Sequence, residues 1–78
     1  MNALQFDYIN HKGEDHSYKV IPISIAFEPY KLYPDNLSSK AWVINALVLE
    51  RSKIKRNVLR NFVVMRMRNI AEVSVETR

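Results

Sequence analysis

The sequence contains no cysteine and only one glycine among its 78 residues. The absence of cysteine excludes disulfides, thiolate metal ligands and cysteine nucleophiles, and it is typical of the reducing cytoplasm, where we expect this protein. A single glycine excludes a glycine-rich loop that would hold phosphate through its backbone. No apolar run approaches the roughly 18 residues of a membrane span, and the first residues lack the pattern of a signal peptide. We therefore expect neither membrane insertion nor export.

The length and composition predict one small globular domain over residues 1–78. Apolar residues make up 47% of the chain and charged residues 26%, which is far from the composition of disordered segments. The net charge of +4 is uneven, because residues 1–50 hold four Lys/Arg and six Asp/Glu whereas residues 51–78 hold eight and two. The halves thus carry −2 and +6. Such a basic segment favours nucleic acid, nucleotides or an acidic protein as partners, and a solvated basic face is the alternative.

The alternation of apolar residues and turn residues predicts five short strands. The predicted strands are residues 4–9, 18–27, 41–49, 58–64 and 73–76. Gly13 predicts a hairpin between the first two, since glycine adopts positive φ without steric cost. Pro22 cannot donate to a neighbouring strand, so it predicts an edge, a bulge or a bend within the second strand. A single helical turn is expected near residues 65–69, before the last strand.

The third predicted strand, residues 41–49, contains the only tryptophan, Trp42. Periodicity alone leaves a helix capped by Ser38 or Ser39 as the alternative for this apolar run. The β-branched residues and the length of the run favour a strand. In so small a fold, we expect Trp42 to be part of the core rather than a ligand contact.

A long loop is predicted over residues 28–40, where proline, aspartate, asparagine and serine are concentrated. We expect Tyr30 and Tyr33 within it to cover one end of the fold. Five short strands, one long loop and a short helical turn before the last strand predict an all-β protein. The predicted architecture is a five-stranded SH3-like (Sm-like) small barrel.

Five short elements follow one another between residues 8 and 75. They are Gly13-Glu14, Tyr18 to Pro22, Trp42 to Ala46, Arg60-Asn61-Phe62 and Arg66-Met67. Their order resembles the WYL domain of bacterial and phage regulators, and more closely the small stand-alone WYL-like proteins. The resemblance implies an SH3-like barrel that binds nucleic acid or a nucleotide-like anion and regulates an attached or partner protein. Where the family has its naming Trp-Tyr-Leu, this chain has Trp42-Val43-Ile44.

Arg60 and Arg66 match the two arginines of the family and are the central candidates for a basic ligand pocket. A guanidinium offers five donors in a planar fork that suits phosphate. For Arg66, a structural hydrogen bond to a neighbouring carbonyl is an equal alternative. Phe62 shares one strand face with Arg60, and we expect it to be part of the core.

The other candidate ligand contacts are Tyr18, Lys19, Lys55 and Arg56. Tyr18 and Lys19 point to opposite faces of the second strand, so only one of them can line the same pocket. Lys55 and Arg56 are predicted to form a basic rim whose phosphate contacts weaken as the salt concentration rises. Such contacts contribute affinity rather than sequence specificity.

Catalysis finds no support in the sequence, and we expect no cofactor and no metal. His11 and His16 flank a turn that contains Glu14 and Asp15, but exposed turn residues are a better interpretation than a metal site. No serine lies in a recognisable nucleophile motif. The favoured function is a regulatory, ligand-sensing module for single-stranded nucleic acid or a nucleotide-like anion. The alternative is a protein–protein interaction barrel, self-associating as a homodimer and modulating a bacterial or phage partner.

Overall fold

A computed structural model shows a single antiparallel sheet of five strands, which confirms the all-β prediction. The structure describes residues 2–10, 12–32 and 37–75, with the backbone alone at 30–32 and 37–39. The elements are β1 (Asn2–Ile9), β2 (Asp15–Leu32), β3 (Leu37–Arg51), β4 (Ile54–Val63), a 3-10 turn (Val64–Arg66) and β5 (Met67–Ser74). The helical turn thus precedes the last strand, as predicted.

The strands lie in the order β4-β3-β2-β1-β5. Successive strands pair through hairpins, except that β5 returns to pair with β1. The two edges of the sheet are therefore β4 and β5, and within the described residues no backbone pairing joins them. The sheet is curled but open, and closure into an SH3-like barrel stays a prediction.

The core lies on the concave side of the sheet and is mainly aromatic. Phe62 of β4 lies 4.9 Å from Tyr18 and 5.0 Å from Phe6, measured between ring centroids, with the rings edge to face. Phe62 is 3% exposed, which confirms its predicted place in the core. The remaining buried members of this cluster are Tyr8, Val20, Ala46, Val48 and Met67. Edge-to-face packing of this kind stabilises aromatic pairs beyond the burial of their surface.

Both local backbone predictions in the first half of the chain are confirmed. Gly13 has a φ of 81° in the hairpin between β1 and β2, and its N–H donates to the carbonyl of Asn10 at 2.9 Å. The register between β2 and β3 shifts between Pro22 and Ser24. This β-bulge accommodates a residue that cannot donate a hydrogen bond.

The prediction of a long loop over residues 28–40 is wrong for most of its length. β2 continues to Leu32 and β3 begins at Leu37, with the strands paired throughout. Pro29 is tolerated within β2 because β1 accompanies β2 only as far as Val20, and no other strand of the described chain pairs with that edge of β2. Tyr33 and the side chain of Tyr30, expected to cover one end of the fold, lie outside the described residues.

We call residues 24–32 and 37–45 the distal hairpin. β4 pairs with β3 only as far as Val43, so the outer part of this hairpin is a two-stranded ribbon. Trp42 lies there and is 53% exposed, so its predicted place in the core is wrong. The apolar run that contains Trp42 begins at residue 41, two residues before the part of β3 that pairs with β4.

Candidate anion-binding site

Arg60 lies on β4 at the rim of the aromatic core. It pairs with Ala46 of β3, and its own side chain is exposed. Because side chains alternate along a strand, Arg60 lies on the same face as the buried Phe62. It borders a cavity of about 270 Å³ whose floor is formed by Tyr8, Tyr18 and Phe62. The cavity therefore combines a positive charge with an aromatic floor.

Two further cations, Lys12 and Arg51, line the same cavity. Lys12 comes from the hairpin between β1 and β2, and Arg51 is the last residue of β3. One carboxylate, Glu14, also lines the cavity, so among the described lining residues three cations against one anion leave two net positive charges. Cations supplied by three separate elements give this depression the electrostatics of an anion site.

The hairpin that carries Lys12 is held in shape by Asn10. The Oδ1 atom of Asn10 accepts hydrogen bonds from the backbone N–H groups of Lys12 at 2.9 Å and Glu14 at 3.0 Å. Its Nδ2 atom donates to Oε1 of Glu14 at 3.0 Å. This hydrogen bond is the main reason that the pKa of Glu14 lies below its ordinary value, and nearby positive charges, including Lys12 and Arg51, act in the same direction. The carboxylate therefore stays ionised beside the cations.

The six residues predicted to bind a ligand fall into three places. Tyr18 is buried in the core and lines the cavity of Arg60. Lys19 lies on the opposite face of β2, where its Nζ is 3.4 Å from Oε2 of Glu50. Lys55 and Arg56 are exposed and border, together with Lys19, a separate open depression of about 400 Å³.

Arg66 does not join Arg60. It is the last residue of the 3-10 turn, is half-buried, and is not among the residues that line the cavity of Arg60. Six positions separate the two arginines, and between them β4 ends at Val63 and the chain turns towards β5. The resemblance placed both arginines at one ligand, whereas the structure brings Lys12 and Arg51 to Arg60 instead.

Lys12 and Arg51 could have been found from the order of the strands. In an antiparallel meander, the first and third hairpins lie at the same end of the sheet. The turn between β3 and β4 contacts the start of β2, because the N–H of Ser52 donates to the carbonyl of Ser17 at 2.6 Å and Nδ1 of His16 lies 3.2 Å from Oγ of Ser52. Basic residues beside these two turns are therefore expected to meet.

The residues considered for a metal site are engaged elsewhere. Asp15 forms an ion pair with Arg68, His16 contacts Ser52, and Glu14 accepts from Asn10. His11 lies outside the described residues. Within residues 2–10, 12–32 and 37–75, no group of three or more histidine and acidic side chains is arranged to hold a metal ion.

No protein family, characterised protein or solved structure was found to match the chain. The resemblance to the WYL domain stays a prediction from the sequence. Val43, which stands where the family has tyrosine, is buried and pairs with the buried Val63, so in this chain that position contributes to packing. In the part of the chain that the structure describes, no helix has the length and apolar character needed to cross a membrane.

Proposed function

We propose that the protein is a non-catalytic binding module that takes single-stranded nucleic acid or a nucleotide-like anion at the cavity beside Arg60. The observation that carries the proposal is the convergence of Lys12, Arg51 and Arg60 from three elements over an aromatic floor. Two guanidinium groups supply planar pairs of donors, which match phosphate oxygens, and the lysine adds a point charge.

The packing of the floor favours recognition of phosphate over recognition of bases. Tyr8 and Tyr18 lie edge to face with a centroid distance of 6.2 Å, and both pack in the same manner against Phe62. All three are buried, so little ring surface is left on which a base could stack. Binding through phosphate contacts depends strongly on salt and weakly on sequence. We therefore propose a module with little sequence specificity of its own.

The SH3-like barrel and the regulatory role form part of the same proposal. Five antiparallel strands, the curl of the sheet and the 3-10 turn before β5 support the barrel. The regulatory role rests on the resemblance to the WYL domain, and the cytoplasmic location rests on the absence of cysteine. A role in protein interaction is supported by a different surface, the distal hairpin.

The proposal is tested by fluorescence anisotropy with a short, end-labelled, single-stranded oligonucleotide. The label belongs on the oligonucleotide because Trp42 does not line the cavity. We expect binding at low salt that weakens steeply as salt is added, and a loss of about tenfold or more in Arg60→Ala. Lys40→Ala is the matched control, since it removes one exposed positive charge from the distal hairpin.

Lys40→Ala should retain most of the affinity for the oligonucleotide. Absence of binding at low salt would contradict the proposal. Equal losses in Arg60→Ala and Lys40→Ala would also contradict it, because they would show a general effect of charge rather than a site.

A further inference from the structure

The core-facing side of the distal hairpin carries a row of large apolar side chains that no other described element covers. Ile25, Phe27 and Trp42 are 58%, 53% and 53% exposed. Phe27 and Trp42 are directly paired across the two strands, and their ring centroids are 5.2 Å apart. Ile25 pairs with Ile44, which packs against the core, so the row continues the core-facing side of the sheet.

The 3-10 turn extends this surface. Met65 is 76% exposed and, with Val64, borders a depression of about 290 Å³ that Phe27 and Trp42 also line. Lys40 lies at its rim. The surface is thus a shallow apolar depression beside a flat aromatic pair.

A ribbon of two strands is marginally stable by itself in water, because it has no third strand or second layer to cover its apolar side. In the distal hairpin the strands are nevertheless paired from Ser24↔Asn45 out to Leu32↔Leu37. A contiguous apolar patch on such an element marks an interaction surface. The charge of this part of the chain indicates what kind of partner can bind the patch.

The distal hairpin and the residues that connect its two strands carry no net charge. Residues 24–45 contain Lys31 and Lys40 against Glu28 and Asp35, so two positive charges balance two negative ones. The 3-10 turn adds Arg66 beside Met65, so the whole surface carries one net positive charge, against +6 for residues 51–78 as a whole. A second copy of this basic chain therefore meets less repulsion at this surface than at the cavity of Arg60, where three described cations face one described carboxylate.

We propose that the distal hairpin packs against the distal hairpin of a second copy, face to face across a two-fold axis. In such an interface each copy presents the same patch, so the aromatic pair and the depression beside Met65 are available from both sides. Over residues 24–29 and 40–45, whose side chains the structure describes, the face is six residues long and measures roughly 20 Å by 10 Å at ordinary strand spacing. With Met65 it buries on the order of 300 Å² per copy, which lies below a standard interface and therefore implies a weak dimer.

Sedimentation velocity of the full chain, from low micromolar to several hundred micromolar, tests this dimer. We expect the dimer fraction to rise with concentration and the emission of Trp42 to shift to shorter wavelength over the same range, because its indole becomes buried. The double variant Ile25→Thr/Phe27→Thr keeps residues that favour strands and should stay monomeric. Ile54→Thr/Leu59→Thr, which alters exposed apolar residues of β4, is the matched control and should dimerise like the parent chain.

A parent chain that stayed monomeric at every concentration would overturn the proposal. The partner of the distal hairpin would then be a different protein. So would a dimer that survives the Ile25→Thr/Phe27→Thr change, or one in which the emission of Trp42 does not move. A spin label gives a second measurement that removes no apolar contact. Because the chain has no cysteine, Ser24→Cys and Ser74→Cys each accept one label.

Ser24 lies at the base of the distal hairpin and Ser74 ends β5. We expect a shorter distance between the two copies for the label at Ser24 than for the label at Ser74. The reverse order would overturn the proposal. Oligonucleotide binding in Ile25→Thr/Phe27→Thr should be unchanged, so dimer formation and anion binding can fail independently.

Discussion

The hydroxyl of Tyr8 on β1 accepts a hydrogen bond of 3.0 Å from the backbone N–H of Val63 at the end of β4. In the sheet, β2 and β3 lie between these two strands. The bond therefore crosses the concave side of the sheet rather than running along it. The ring of Tyr8 also lies edge-on to Phe62, at 5.1 Å between centroids, so packing and hydrogen bonding hold the same curl.

We expect Tyr8→Phe to lower the free energy of unfolding by about 1–3 kcal/mol, because it leaves the buried N–H of Val63 without this acceptor. Urea denaturation followed by circular dichroism measures the change. Tyr18→Phe is the matched control, since it removes a hydroxyl from the same aromatic cluster, and its effect should be smaller. Equal losses in the two variants would show that the Tyr8 bond does not contribute specifically to the curl.

The carboxylate of Asp7 predicts a dependence of stability on pH. Hydrogen bonds from Asn69 and then from Ser17, both at 2.8 Å, hold the pKa of Asp7 below its ordinary value, and the charge of Arg68 adds to the effect. A lowered pKa in the folded state means that the stabilising contribution is complete above the ordinary aspartate pKa of about 4. The contribution is lost as the pH falls through the folded pKa.

Asn69→Gly tests this relationship, because glycine keeps the positive φ of 54° at this position and removes the amide donor. In an NMR titration, the pKa of Asp7 should rise towards its ordinary value. The difference in stability between the parent chain and Asp7→Ala should shrink when denaturation is repeated near pH 3. A difference that does not change with pH would contradict the role of the ionised carboxylate.

Lys53→Gly should stabilise the protein. Ser52 and Lys53 form the turn between β3 and β4 with φ values of 50° and 68°. A left-handed conformation costs a non-glycine residue roughly 1–2 kcal/mol, whereas glycine loses about 0.5–1 kcal/mol of extra chain entropy on folding, so we expect a net gain of about 0.5–1 kcal/mol. Thermal denaturation should show a rise of about 2–8 °C. Lys55→Gly within β4 is the control and should lower the melting temperature.

The salt dependence of binding to Arg51→Ala and Arg66→Ala distinguishes the site seen in the structure, which includes Arg51, from the site implied by the resemblance, which includes Arg66. If the cavity binds phosphate, Arg51→Ala should reduce the slope of log affinity against log salt concentration by about 0.7, the value for one contact to a single strand. Arg66→Ala should leave the slope unchanged, because Arg66 does not line the cavity. The opposite result would favour the site implied by the family resemblance over the site seen in the structure.

Local features of the fold could be predicted because they depend on single residues. Gly13 marks a hairpin and Pro22 marks a bulge for steric reasons that no partner strand can override. The loop prediction was wrong for most of residues 28–40 because the structure there depends on which strands lie beside it rather than on single residues. Pro29 and its polar neighbours are typical of a loop, but a strand with a free edge tolerates proline, and only the pairing with β3 shows which edge is free.

The candidate site could be predicted only in part for a similar reason. Alternation along a strand relates Arg60 to Phe62 and separates Tyr18 from Lys19. No local pattern connects Lys12 with Arg51, because the two meet only through the order of the strands. The exposure of Trp42 could not be predicted for the same reason, because its apolar neighbours in the sequence do not show where β4 stops pairing with β3.

The return of β5 to β1 determines how the chain can assemble. In the part of the chain that the structure describes, three of the four strand pairings join neighbours through hairpins, whereas the last joins Asn2 to Ser74. Closing so long a segment costs more chain entropy than closing a hairpin, so we expect a fast, stepwise growth of four strands followed by a slower docking of the fifth. While the chain is being synthesised, one edge of β1 has no partner until residues 67–74 have left the ribosome. Of the five strands, β1 is therefore made before the others but is among the last to be protected from aggregation.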